Sequence, residues 1–266
     1  MMTADEIGTA SGEVSGDGQI VHVVLNRPEA RNAINRAMAS ELGATLDEIG
    51  RSGGVRAVVL SGAGDHAFCA GADLIERGQL EPAERTAHTE AIEQIAEALA
   101  SFPVPTIAAV RGYALAGGAE LALACDMRLA GADAVFGFPE VKIGIFPGAG
   151  GVLRLPRLIG PGAAADLLYT GRQVDAEEAI QLRLVDRVVK AVDVLTEAMV
   201  LARLIAANAP LAVRSLKRAM GAVNELSNDD ARRMVRECRS SLDGTADYAE
   251  GLAAFAERRT PHFRGE

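Results

Sequence analysis

The chain has 266 residues, 49% of them hydrophobic, and a formal net charge of −9. That length supplies a core for one large domain, and the negative balance works against phosphate backbones and anionic bilayers, so neither nucleic acid nor membrane is expected as a partner. The sequence has no apolar run of about 18 residues, no Lys or Arg in its first 26 positions, and three cysteines without metal-ligand spacing, so a reducing cytoplasm, no disulfide framework and no metal site are the expectations.

In chain order, "GEVSGDGQIVHVVLN" (12–26) predicts two short strands around a Gly-Asp-Gly turn. Met38, Leu42, Leu46 and Ile49 share one face of a helix over 36–49. "VRAVVLSG" (55–62) predicts a buried strand, and "EAIEQIAEALASFPVP" (90–105) an amphipathic helix stopped by prolines. "TIAAV" (106–110) is the next strand, then a glycine pair opens a helix whose apolar composition continues through "LALACDMRLA" (121–130). A short strand "AVFGF" (134–138) and a helix at 151–159 follow. From about residue 152 the strand signal fades, and 193–207, 210–224, 228–241 and 245–258 read as helices. This alternation predicts an α/β core over 1–192 and a C-terminal helical segment over 193–266 that is not an independent domain.

Two acids stand in apolar, glycine-rich surroundings. Glu120 follows Gly117-Gly118, where the first amides of a helix lack internal partners and lie at the positive end of its dipole. Such amides suit a developing oxyanion, and glycine leaves no bulk to keep a ligand away. A lone glutamate in a first helical turn is ordinarily a solvated residue; the all-apolar helix behind Glu120 argues instead for burial, and buried acids have a partner or a task. Glu140 follows Pro139, where a loop or cap role is the ordinary reading. In "HAFCAGADL" (66–74), Ala70-Gly71-Ala72 can set a second bare amide beside Gly117, while Asp73 caps a helix beginning at Leu74. Cys69 reads as a small inert residue rather than a nucleophile.

Together, "LNRPEARNAI" (25–34), "FCAGADL" (68–74), "GYALAGGAELALACD" (112–126) and "FPEVKIGIFPGAGG" (138–151) resemble the crotonase, or enoyl-CoA hydratase/isomerase, superfamily, from about residue 12 to the C-terminus. The resemblance implies a spiral of ββα units followed by helices, a homotrimer or dimer of trimers, and an acyl-CoA thioester as substrate, with coenzyme A entering as part of it and no separate cofactor. It maps the oxyanion-hole amides onto Ala70 and Gly117, the two hydratase glutamates onto Glu120 and Glu140, and substrate or CoA contacts onto Ala30, Arg31, Gly71, Ala72, Asp73 and Gly148. Both acids being present favours hydration of a 2-enoyl-CoA. The "FCAGADLIER" stretch and the tail are also similar to methylglutaconyl-CoA hydratases, and Δ3,Δ2-enoyl-CoA isomerisation, which needs one acid, is the other alternative. Departures from the family pattern are Ala116, where many relatives have glycine, and Glu29, where many have lysine. Arg258, Arg259 and Arg264 in the tail are candidates for meeting CoA phosphates.

Overall fold

The computed structural model describes residues 10–14, 18–223 and 226–266. Gly16 and Asp17 of the expected Gly-Asp-Gly turn lie outside the described residues. A six-stranded sheet runs in the order β1 (Ala10–Val14), β2 (Ile20–Leu25), β3 (Ala57–Gly62), β5 (Thr106–Val110), β7 (Met127–Gly131) and β10 (Arg187–Val189). A second sheet holds β4 (Ala67–Cys69), β6 (Tyr113–Leu115), β8 (Val135–Gly137) and β9 (Gln173–Asp175). Among the described residues β1 on β2 and β9 on β8 pair antiparallel, and the other strand pairs are parallel.

Each of β3–β4, β5–β6 and β7–β8 gives one strand to each sheet and is followed by helix, so the chain advances one strand per unit in both sheets. This is the spiral of ββα units. Alternation along the strands builds two cores: Val58, Leu60, Ala108 and Val110 face one side, and Ala57, Val59, Ile107 and Ala109 the other. Helix α1 (Arg36–Arg51) buries Met38, Leu42, Leu46 and Ile49 in the first core, and Asn35 starts it by accepting the Met38 N–H at 2.8 Å. Helix α8 (Val194–Ala206) lays Val194, Ala198, Leu201 and Ala202 on the second, so residues beyond 192 complete the cover of the main sheet. Arg56 ties the tail down as well, donating to the carbonyls of Ala206 at 2.8 Å and Phe263 at 2.7 Å.

Three sequence expectations are corrected. The helix after the glycine pair, α4 (Gly117–Ala124), stops well short of residue 130, and Met127–Gly131 is strand β7. Asp126 makes the break: its carboxylate accepts the Thr106 N–H at 2.7 Å and the Lys217 ammonium at 2.7 Å, pinning the chain beside β5. Helix α3 spans Pro82–Ala100, eight residues longer at its start, because Glu81 and Glu84 form a capping box there. Strands β9 and β10, three residues each, lie where the strand signal fades.

Candidate active site

Every residue of α4 is buried, and Glu120 is 2% exposed. Its Oε1 accepts two amide N–H groups where a loop enters the next helix, Ala149 at 2.9 Å and Gly151, the first helical residue, at 2.7 Å. Burial pushes this carboxyl above its ordinary range; those two hydrogen bonds and the Arg154 cation pull the other way. Arg154, in helix α5 (Gly151–Ile159), fixes the same loop by donating to the Ala149 carbonyl at 2.9 Å and to Glu97 at 2.6 Å. Gly150 has φ +96°, a backbone conformation that residues with a side chain rarely adopt and that glycine takes freely.

Glu140 lies in a 3-10 turn, Pro139–Ile143, and is 4% exposed. Its Oε2 is buried without a hydrogen-bond partner among the described residues. Burial, reinforced by the negative charge of Glu120, pushes its carboxyl up to about 7. The two acids thus feel each other electrostatically, with one anchored by amides and the other left with a free oxygen.

The amides of 70–73 sort themselves by what they already bond. Ala70 donates to the Arg31 carbonyl at 3.0 Å, Gly71 to the Cys69 sulfur at 3.4 Å, and Asp73 to the Ile34 carbonyl at 2.8 Å. The expectation that Ala70 supplies a bare amide is therefore corrected. Ala72 is the residue whose N–H has no partner among the described residues, as is Gly117 across from it. The loops abut: a Cβ on Gly71 would lie 3.2 Å from the Gly117 nitrogen, and one on Gly117 3.8 Å from the Ala72 nitrogen. Gly71 takes φ +92°, which only glycine adopts freely. Ala116, just before α4, also sits at positive φ (49°, ψ −128°), its N–H donating to the Gly137 carbonyl at 2.9 Å.

One cavity of about 130 Å³ takes in Ala70, Ala72, Gly117, Glu120, Glu140 and Gly148. Ala30, Arg31, Gly71 and Asp73 are not among its lining residues. Arg31 stands over the Tyr113 ring at 5.7 Å, and Asp73 is committed to structure: it caps α2 (Leu74–Gln79) by accepting from Ile75 and Glu76 and pairs with Arg27 at 2.9 Å. That removes Asp73 as a free substrate ligand. Arg259 is likewise held by Glu250, at 2.5 and 2.8 Å. Cys69 is fully buried and its thiol is pushed up to about 12, so it is no nucleophile. Among the described residues no three His, Cys, Asp or Glu side chains cluster as metal ligands would. Arg77, Ile143, Ile145 and Phe146 also line the cavity from within the quoted motifs without having been singled out, and Thr89, outside every motif, is brought there by the packing of its helix.

The family model for enoyl-CoA hydratase/isomerase matches residues 15–266. The chain is 37% identical over 243 residues to the short-chain-enoyl-CoA hydratase of Clostridium acetobutylicum, covering 91% of this chain and 93% of that one. It is 40% identical over 254 residues to the human mitochondrial enoyl-CoA hydratase domain-containing protein 2, covering 94% and 87%. Among solved structures, an enoyl-CoA hydratase from Bacillus anthracis superposes with a TM-score of 0.95 at 40% identity, over 97% of this chain and all of that one.

Proposed function

The chain belongs to the enoyl-CoA hydratase/isomerase family, which acts on acyl-CoA thioesters, and from that premise we propose that it adds water syn across the 2,3 double bond of a 2-enoyl-CoA. The observation that carries the reading is the pair of buried glutamates facing one cavity, Glu120 anchored by two amides and Glu140 with an unpartnered oxygen. An isomerase needs a single acid to carry a proton between carbons, whereas hydration needs one group for the water and one for C2.

In this mechanism the thioester oxygen lies between the Ala72 and Gly117 amides, which stabilise the negative charge gathering there as C3 is attacked; one such donor is worth about 10²–10³ in rate. Glu120, its Oε1 held by Ala149 and Gly151, keeps Oε2 for the water and takes its proton as the oxygen bonds to C3. Glu140, whose proton affinity is raised to about 7, gives its proton to C2. The turnover leaves Glu120 protonated and Glu140 charged, and exchange with solvent resets both. No separate cofactor takes part in this scheme. We also propose that the protein assembles as a trimer, supported by strongly exposed apolar side chains such as Leu204, Leu216, Met220 and Phe255; sedimentation would give the mass directly.

The test is to mix the protein with crotonyl-CoA and follow loss of the conjugated thioester absorbance, with Glu120→Gln and Glu140→Gln in parallel. Hydration predicts that either substitution lowers turnover by about 10²–10⁴. An isomerase would leave crotonyl-CoA unchanged, convert a 3-enoyl-CoA, and survive one of the two substitutions.

A further inference from the structure

Ile34 and Ala72 form a parallel β-bridge between the segment before α1 and the loop that carries the free amide. The Ile34 N–H donates to the Gly71 carbonyl at 2.8 Å, and the Ile34 carbonyl accepts the Asp73 N–H at 2.8 Å. Both peptide units flanking Ala72 are thus held by this one residue. The Gly71 carbonyl and the Ala72 N–H belong to the same trans peptide and point in opposite directions, so turning the carbonyl to Ile34 turns the N–H away from it, and Ala72 lines the cavity.

A further donor reaches this bridge from α3. His88 is buried there, one residue before Thr89 of the cavity wall, and its Nε2 lies 3.0 Å from the Ile34 carbonyl oxygen. A carbonyl only accepts, so Nε2 carries the proton. Nδ1 is buried without a hydrogen-bond partner among the described residues. Burial pulls the proton affinity of the ring below its ordinary range; the Arg77 cation of α2 and the Arg36 cation of α1 act in the same sense, against Glu76 of α2 and the bond to Ile34. The ring is therefore neutral, with one nitrogen donating and the other idle. Ile34 does not need this bond to be satisfied, since its carbonyl already has the Asp73 amide. For packing alone an apolar ring would serve better, because it leaves no buried nitrogen unpaired.

We propose that His88 is a positioning residue for the oxyanion hole: its Nε2 proton holds the Ile34 carbonyl in the orientation that fixes the Gly71–Asp73 backbone and points the Ala72 N–H at the thioester oxygen. A carbonyl held by two donors swings less than one held by a single donor, and a displacement of about 1 Å in a group that serves the chemistry can cost about 10²-fold in rate. The role rests on the thioester site of the hydratase reading and involves no contact between His88 and the substrate.

The test compares the wild-type protein with His88→Phe, which fills the space without a donor, and His88→Gln, which restores an N–H near the Nε2 position. On crotonyl-CoA, His88→Phe should lower kcat about 10-fold with KM changed less than about 2-fold, and His88→Gln should recover to within about 3-fold of the wild type. The urea midpoint of His88→Phe should match or exceed that of the wild type, since the substitution leaves no hydrogen-bonding group orphaned. A histidine that serves only the fold gives the opposite pattern, a lower midpoint with kcat unchanged, and that result overturns the inference. So does a His88→Gln variant no faster than His88→Phe. If the wild type hydrates no 2-enoyl-CoA, the hydratase reading fails by itself, and the infrared carbonyl band of bound butyryl-CoA, a saturated thioester with no double bond to hydrate, still reports the two amides. That band should shift down on binding to the wild type and to His88→Gln, and no more than about half as far on binding to His88→Phe. Equal shifts in all three proteins overturn the inference.

Discussion

Glu140 carries a cost that can be measured without any substrate. Its carboxyl has an ordinary pKa of 4.5 and is pushed up to about 7 in the folded protein, mainly by burial. Below pH 4.5 the group is protonated whether the chain is folded or not, and the burial costs nothing in charge. Between 4.5 and about 7 the unfolded chain gives up this proton while the folded one keeps it, so stability falls as pH rises; above 7 the full cost is present. At about 1.36 kcal/mol per tenfold change in proton affinity the ceiling is about 3 kcal/mol, and screening through the cavity mouth brings it to about 2 kcal/mol. Glu140→Gln removes the titration while keeping the shape. Its amide finds no partner at the buried Oε2 position, a penalty that does not vary with pH. Urea unfolding of both proteins at equal concentration, from about pH 5 to pH 8.5, should therefore show the variant gaining about 2 kcal/mol on the wild type toward the alkaline end. A gap that stays constant across this range would refute the argument that Glu140 is held protonated by its surroundings.

The remaining expectations concern the rate and the loops. Glu120→Gln should lower kcat by about 10²–10⁴ with little change in the unfolding midpoint, because a glutamine Oε1 can still accept from Ala149 and Gly151. The pH profile of kcat/KM on a 2-enoyl-CoA should fall about tenfold per pH unit on the alkaline side of about 7, as Glu140 loses the proton it must donate; a flat alkaline limb would remove Glu140 from that role. Gly118→Ala would place a methyl 2.7 Å from the Cys69 Cβ, forcing α4 away from the loop that carries Ala72. Thermal unfolding should show a loss of about 1–3 kcal/mol, and the displaced Gly117 amide should lower kcat as well.

How far the sequence was legible depends on how local the determining forces are. A helix with a clear apolar face, such as α1, follows from periodicity, and the Asp73 cap follows from its place before Leu74. The break between α4 and β7 does not, since Ala, Leu, Cys and Met suit helix and buried strand alike; the deciding contacts come from Thr106 and Lys217, far along the chain. The same holds within the site. The burial of Glu120 could be argued from the apolar helix it heads. Which amide of 70–73 stays free could not, because that depends on how Arg31 and Ile34 lie against the loop. Arg77 and Thr89 meet only because α2 packs against α3 at the cavity.

The backbone at Ala116 bears on how the helix that starts one residue later meets its ligand. A residue with a methyl group rarely enters the quadrant it occupies, and holding it there costs about 1–3 kcal/mol. The same methyl narrows the range of rotation open to the following peptide plane, which glycine would leave wide. The Gly117 N–H is thereby aimed before any thioester arrives, and its loss of orientational freedom belongs to the folding of the chain instead of recurring with each molecule turned over.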